Sequence, residues 1–198
     1  MRNIFTALFL FCFASLAFAT PSQKKVDINA STLKWTGKKL AGQHNGTLKL
    51  SDGYVELKKG RLIGGTFNIK MTTIVDEDLT NADYNKKLVT HLSSEDFFSI
   101  EKYPISTFKI TKVSPIKGAK VGSNNYDLSG ELTIKGITNP ISFPAKVTNN
   151  KDGFTADANI TVDRTKWGIK FRSLSFFKDI GDKVIEDNFY IDLHLQAK

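Results

Sequence analysis

Three polar side chains fall on the apolar side of predicted strands, where they could contact a ligand instead of water. Residues an even number of positions apart on a regular strand face the same side, and His44 is in this way on the side of Leu48 and Leu50. Arg164 follows a strand whose alternate residues are apolar, and it continues that apolar side. Thr73 continues the apolar side of an earlier strand in the same way. All three lie at strand ends, the expected place for the polar rim of an apolar tube, because an unpaired charge deep inside is too costly. We expect Arg164, with His44, to contact the polar or anionic head of an apolar ligand.

Each of these residues also has a purely structural interpretation. Arg164 could form an ion pair with a nearby loop acid, Asp163 or Asp179, and His44 could be a hydrogen-bonded histidine at a strand end. His194 has the opposite parity to its apolar neighbours and is expected to face water.

The sequence lacks the motifs of the common catalytic sites. It has no G-x-S-x-G, no H-E-x-x-H, no Walker loop and no Rossmann fingerprint. The three histidines face different ways and predict no metal cluster, and no carboxylate pair stands out for acid–base catalysis. We therefore expect a binding protein without catalytic residues and without a metal, not an enzyme.

Most of the chain alternates apolar and polar residues with period two. The segment from Tyr126 to Ile134 does so without interruption. About eight such strands, each with one wet face, predict an all-β antiparallel sheet that must close on itself or stack on a second sheet. A closed lipocalin-like barrel of about eight strands leaves room for one small ligand. A two-sheet sandwich is the competing fold.

One stretch departs from this period and predicts a short helical insert, at about 80–98, over the mouth of the barrel. Tyr84, Leu88 and Leu92 are spaced at i, i+4 and i+8, which places them on one face of a helix. Thr80 is the predicted N-cap. A second, shorter turn follows and carries two phenylalanines.

The predicted ligand-binding residues of the cavity and its mouth lie on inward strand faces, on the insert, or in the aromatic loop after residue 163. They are Trp35, His44, Phe67, Met71, Leu88, Leu92, Phe97, Phe98, Phe108, Arg164 and Trp167. The aromatic residues of the strands are most simply core. Those of the insert and the loop either close the cavity mouth or pack beneath the barrel as plain core.

The first 19 residues predict a secretory signal peptide. Ile4–Ala19 carries no charge and ends in an A-x-A cleavage pattern, so we expect cleavage after Ala19 and a periplasmic or secreted protein. The only cysteine, Cys12, lies in this segment. The net charge of +8 comes mainly from scattered lysines, which favours a solvated exterior over a nucleic-acid surface.

Five segments, in order, resemble the YceI-like family. They are the spacing of Trp35, Gly37, Gly42, His44 and Gly46, then GGTFNIKM, HLSSEDFFSIEKYPISTF, GELTIKGITNP and DRTKWGI. The resemblance runs from about Val26 to the C-terminus. It implies a lipocalin-like barrel, usually periplasmic, that holds a long isoprenoid or similar amphipathic lipid. Family members often have Phe at the position of Trp167, and the larger ring would narrow the mouth.

The sequence thus predicts a signal peptide at 1–19 and a YceI-like lipid-binding barrel domain at 20–198. We expect it to carry or store an isoprenoid, quinone or fatty amide, with no cofactor beyond the bound lipid and no nucleic-acid partner. A transient contact with a membrane surface and a homodimer are left open. Two other functions remain: a polyanion-binding module that uses the basic exterior, and a small hydrolase or isomerase that uses His44.

Overall fold

Nine antiparallel strands and one α-helix make up the part of the chain that the computed structural model describes, residues 20–178 and 181–198. The predicted signal peptide lies outside these residues. In chain order the elements are β1 (Ser22–Lys25), β2 (Thr32–Lys39), β3 (Gly42–Lys58), β4 (Arg61–Asp76), α1 (Ala82–Ser93), β5 (Ile105–Pro115), β6 (Tyr126–Ile134), β7 (Ile137–Asn150), β8 (Gly153–Asp163) and β9 (Ile185–Ala197).

Strands β2 to β9 form a closed barrel of eight antiparallel strands. Neighbouring strands from β3 to β9 pair in chain order, and β2 lies between β9 and β3, which closes the sheet. The short strand β1 pairs with the second half of β3 as an extra strand. Closure leaves no free edge along the barrel, and it confirms the predicted fold class.

The alternation read from the sequence determines which side chains enter the barrel. In β6, Leu128, Gly130, Leu132 and Ile134 are buried, whereas the alternate residues between them lie on the outer face. In β8 the buried positions are Phe154, Ala156, Ala158 and Val162 in the same way. Burial of apolar side chains on the inner face of the barrel strands therefore stabilises the closed sheet.

An irregular bulge in β4 changes which alternate residues of that strand face the interior of the barrel. Residues 71–74 lie opposite the single residue Leu48 of β3. The Thr73 hydroxyl accepts a hydrogen bond from the backbone of β3 (2.9 Å) and donates one to its own strand (2.6 Å). The prediction that Thr73 points into the barrel is therefore wrong. Beyond the bulge, Ile74 and Asp76 become the buried residues.

The helix α1 is shorter than the predicted insert, and its N-cap lies one residue after the predicted one. Asn81 is the N-cap, and its side-chain oxygen accepts hydrogen bonds from the N–H groups of Asp83 and Tyr84, both at 3.1 Å. The prediction that Thr80 caps the helix is wrong, because the asparagine next to it supplies the acceptor. The helix ends at Ser93, and turns carry the chain onward.

The buried face of α1 is set by its second half. Leu92 is buried and Leu88 is half-buried against the core, but Tyr84 is 61% exposed. Tyr84 therefore does not share the inward face that its spacing predicted. No helix within 20–178 and 181–198 has the length and apolar character needed to cross a bilayer.

Candidate functional site

A cavity of about 190 Å³ lies inside the barrel beneath α1. Every barrel strand contributes inward side chains to it, and nearly all of them are aliphatic or aromatic. Within residues 20–178 and 181–198, the polar residues that border it are Ser106, Arg164, Glu186 and Asn188, and its surface is almost wholly apolar. Such an apolar enclosure excludes water-seeking ligands and suits a hydrocarbon chain.

Eight of the eleven predicted ligand-binding residues line this cavity. They are Trp35, Phe67, Met71, Leu92, Phe97, Phe98, Phe108 and Arg164. The other three, His44, Leu88 and Trp167, do not line it: Leu88 packs against the core from α1, and the other two are described below. Whether these side chains contact a ligand stays a prediction.

Aromatic rings close the cavity at the end covered by α1. Phe98 makes an edge-to-face contact with Phe189 of β9, with ring centroids 6.2 Å apart. His91 of the helix lies between two further rings, 4.9 Å from Phe97 and 4.5 Å from Phe171. These contacts join α1 and the turn that follows it to the loop after β8. We call this set, His91, Phe97, Phe98, Phe171 and Phe189, the aromatic lid.

Arg164 lies where the cavity meets this end of the barrel, with its guanidinium bound to the protein backbone. The residue is 3% exposed, and Nε, Nη1 and Nη2 donate to the carbonyls of Glu186 (3.0 Å), Ile169 (2.8 Å) and Ile185 (3.0 Å). Its ion-pair partner is Asp187, at 3.6 Å. Burial lowers the pKa of Arg164, and the carboxylate of Asp187 opposes that shift.

The two ion pairs predicted for Arg164 have different outcomes. Asp163 instead caps the 3-10 turn at Arg164–Trp167, where its Oδ1 accepts hydrogen bonds from the N–H and the hydroxyl of Thr165. Asp179 lies outside the described residues. The predicted contact of Arg164 with an anionic head is untested, but three of its donors are already used.

Trp167, the last residue of the same turn, anchors it to the barrel through a buried indole. Its side chain is 1% exposed, and the indole N–H donates to the carbonyl of Leu132 in β6 at 3.0 Å. Of the other aromatic residues in this loop, Phe171 belongs to the aromatic lid, whereas Phe176 and Phe177 are about half exposed. The loop therefore takes both of the roles that the sequence left open, since Phe171 helps to close the end of the cavity and Trp167 packs as core.

Glu186 and Asn188 of β9 border the mouth of the cavity, a position the sequence did not predict, but the cavity surface there stays almost wholly apolar. Both are exposed yet line the cavity, because they lie at the start of the strand, beside the lid. The Tyr190 hydroxyl donates to the Glu186 carboxylate at 3.4 Å. The parity of β9 assigns them to the outer face, so only their position at the rim could have indicated this role.

A second group of polar side chains lies outside the cavity, at the junction of β3, β4 and the segment before α1. The His44 ring nitrogen Nδ1 is 2.9 Å from Oδ2 of Asp78, and ligand atoms of His44, Asp76 and Asp78 all lie within 4.8 Å of one another. These residues could hold a metal ion. His194 faces outward, as predicted, and bonds Asp157 at 2.6 Å.

The two carboxyl groups of this cluster differ in their electrostatics. Burial raises the pKa of Asp76, and the nearby Asp78 carboxylate adds to the rise. Burial also acts to raise the pKa of Asp78, but hydrogen bonds from the Asn45 N–H and from His44 outweigh it, so the net shift is downward. Asp78 is therefore the member that carries the negative charge most readily.

Comparison with known families identifies the family of this chain. The model of the YceI-like domain matches residues 25–197, which is nearly the whole described chain. The chain belongs to the YceI-like family. Relatives of this YceI-like protein include Protein YceI of Escherichia coli O6:H1, 32% identical over 126 residues. That alignment covers 59% of this chain and 60% of the relative, so the chain spans about three fifths of that protein's length.

A longer alignment relates this YceI-like protein to the UPF0312 protein plu2095 of Photorhabdus laumondii. The two are 28% identical over 156 residues, which cover 75% of this chain and 71% of the relative.

Solved structures show the same barrel. BcnA of Burkholderia cenocepacia superposes with a TM-score of 0.66 at 24% identity and covers 87% of this YceI-like chain and 99% of its own. A polyisoprenoid binding domain from Saccharophagus degradans superposes with a TM-score of 0.59 at 14% identity, over 88% and 97% of the two chains. At these identities the likeness establishes the shared fold.

Proposed function

We propose that this YceI-like protein binds a long-chain amphipathic lipid in its barrel cavity and carries or stores it in the periplasm. The observation that supports this most directly is the apolar cavity inside a closed barrel, covered by the aromatic lid. The structural relative from Saccharophagus degradans, a polyisoprenoid binding domain, supports an isoprenoid or similar chain. The predicted signal peptide supports the compartment.

The size of the cavity limits how the lipid would be held. At about 190 Å³ it is a little larger than an apolar cavity of roughly 150 Å³ that binds benzene, and smaller than ligand pockets of roughly 300–1,000 Å³. In this closed form it encloses part of a long chain. A longer lipid therefore requires the lid to shift or the tail to extend through the mouth.

Burial of the hydrocarbon would supply most of the affinity. About ten methylenes at ~0.8 kcal/mol each contribute roughly 8 kcal/mol before ordering costs, which sets micromolar binding as about the upper limit of the affinity for that length of chain. Tighter binding would need a longer chain or a contact to the head group.

The head group would meet a largely apolar mouth, where the guanidinium of Arg164 is already engaged. Arg164 donates to three backbone carbonyls, so an anionic head would lose its hydration in apolar surroundings without gaining this cation as a partner. We therefore propose that a neutral head with a donor, such as a hydroxyl or an amide, is preferred over a carboxylate or phosphate. Ligands with one common tail and different heads test this, and equal or tighter binding of the anionic head would contradict it.

Organic extraction of protein purified from its native host, followed by mass analysis, tests the function itself. A co-purifying isoprenoid, quinone or fatty amide near one equivalent supports lipid binding. If the protein carries no lipid and takes up none from a detergent-solubilised panel, the proposal fails. Steeply salt-dependent binding of nucleic acid by the same preparation would favour the polyanion module instead.

A further inference from the structure

The cluster of His44, Asp76 and Asp78 is built around one buried carboxylate oxygen that has no hydrogen-bond partner. Asp76 is 7% exposed. Its Oδ1 accepts hydrogen bonds from the Leu79 N–H at 2.9 Å and the Asn85 side-chain amide at 3.1 Å, but its Oδ2 has no partner among residues 20–178 and 181–198. A buried acceptor without a donor costs folding free energy, so we expect a bound proton or cation to interact with this oxygen.

The neighbours of Asp76 supply the remaining ligands for a cation. His44 Nδ1 and Asp78 Oδ2 lie 2.9 Å apart, and the second oxygen of Asp78 is held by the Asn45 N–H at 2.7 Å. A tetrahedral Zn²⁺ with bonds of about 2.0–2.1 Å holds its ligand atoms roughly 3.3 Å apart, so a small separation of this pair would admit the ion. Fixed orientation of a ligating carboxylate by a backbone N–H is typical of metal sites.

The charge of this segment favours a cation as well. Residues 71–85 contain four acidic residues and no lysine or arginine, in a chain whose net charge is +8. The geometry points to a binding site for a divalent transition-metal ion such as Zn²⁺, formed by His44, Asp76 and Asp78 and completed by water. An imidazole with two carboxylates suits Zn²⁺, Ni²⁺ or Cu²⁺ better than Ca²⁺, which takes six to eight oxygen ligands.

The site would also hold the beginning of α1 on the barrel. Asn85, in the first turns of that helix, donates to the side chain of Asp76 and to its backbone carbonyl at 2.9 Å. A metal bound to Asp76 would therefore join β3, β4 and α1 at one point. This stabilisation is independent of any lipid, since His44, Asp76 and Asp78 do not line the cavity.

A proton shared between the two carboxyl groups is the competing explanation of the buried oxygen. Asp76→Asn separates the two, because the amide keeps the Oδ1 acceptor and places a donor where Oδ2 lies, towards the Asp78 carboxylate. We expect metal-free Asp76→Asn to melt at or above the temperature of the wild type. Its loss of metal binding could then not be attributed to unfolding.

The test uses untagged protein dialysed against a chelator and titrated with Zn²⁺ by calorimetry, with Co²⁺ absorption as a report on ligand geometry. We expect one equivalent of Zn²⁺ to bind the wild type and raise its melting temperature, and Asp76→Asn to bind at least about tenfold more weakly. Asp96→Asn is the matched control, since His91 and Asp96 form a similar pair at 3.2 Å without a third ligand. Equal binding by Asp76→Asn and the wild type, or no binding at millimolar Zn²⁺, overturns the site.

Discussion

Gly46 of β3 pairs with Asp76 of β4 so closely that a Cβ atom at position 46 would lie 1.8 Å from the carbonyl oxygen of Val75. That approach is backbone against backbone, so it cannot be relieved by a side-chain rotation. It brings the start of β3, with His44, against the end of β4. Gly46 is thus the residue that lets the two strands meet at the metal-binding cluster.

Gly46→Ala should therefore destabilise the protein, by about 1–3 kcal/mol or more, because the added methyl must push the two strands apart. Urea unfolding measures the change. Gly37→Ala is the control, since a Cβ atom there meets nothing within 4 Å. If the two variants were equally stable, the close approach would not constrain the barrel.

Arg164→Lys should also destabilise the barrel, by about 3 kcal/mol. A lysine ammonium cannot reproduce the planar fork that meets three carbonyls, so buried acceptors lose their donors. Arg61→Lys is the matched control, because Arg61 is exposed at the start of β4. Urea unfolding of both variants checks this, and an Arg164→Lys protein as stable as Arg61→Lys would show that the fork is not needed.

Asp157 should stabilise the protein at neutral pH and lose that effect in acid. Burial acts to raise the pKa of its carboxyl, but hydrogen bonds from His194 and Lys146 outweigh it, so the net pKa lies below the ordinary 3.8. A carboxyl with a lowered pKa stabilises the folded state above its unfolded pKa, and that stability is lost as the pH falls through the folded pKa. We expect the stability difference between the wild type and Asp157→Asn to shrink from about pH 5 to about pH 3.

A double-mutant cycle with Lys146→Gln checks the cause. The Lys146 ammonium is 2.9 Å from Asp157, so Lys146→Gln should cost less stability in the Asp157→Asn background than in the wild type. Additive effects, or a stability difference that stays constant with pH, would contradict the assigned contacts.

The alternation of apolar and polar residues predicted the barrel and most of the cavity lining, because successive side chains of a regularly paired strand point to opposite faces of the sheet. Phe67 and Met71 were placed correctly in this way. The rule stops at the bulge of β4, where four residues lie opposite Leu48. Counting on from Met71 assigns Asp76 to the outer face, whereas the bulge turns it inward towards His44. The cluster was therefore hidden from the sequence.

Arg164 shows a second limit of sequence analysis. Its parity placed it correctly on the cavity, but its three carbonyl partners come from the loop after β8 and the start of β9. Those segments have no regular period, so nothing in the sequence indicated that the donors would be used internally.

Ala158→Phe should block lipid uptake without unfolding the protein. Ala158 lies on the inner face of β8 and lines the cavity, so a ring there occupies space that the hydrocarbon needs. Asn159→Phe adds the same ring to the adjacent, exposed position and serves as the control. Bound lipid is measured by extraction and mass analysis after equal exposure. Equal lipid content in the two variants would mean that the lipid does not bind inside the barrel.

Phe171→Ala should change the rate of lipid exchange more than the affinity. Phe171 is the member of the aromatic lid that comes from the loop after β8, and it does not line the cavity. Its ring packs against His91 at 4.5 Å and Phe97 at 5.7 Å, so it holds these two residues in the closed position. Since cavity contacts remain, faster opening raises the association and dissociation rates together.

Stopped-flow measurement with a fluorescent fatty ligand separates these quantities. We expect both rate constants to rise by roughly tenfold, since an aromatic pair contributes about 0.5–1.5 kcal/mol and Phe171 makes two, one edge-to-face with His91 and one tilted with Phe97. Phe176→Ala is the control, because Phe176 is half exposed and makes no ring contact with His91, Phe97 or Phe171. A Phe171→Ala protein with wild-type rates but weaker equilibrium binding would show instead that this ring supports the cavity wall, and that ligands enter by another route.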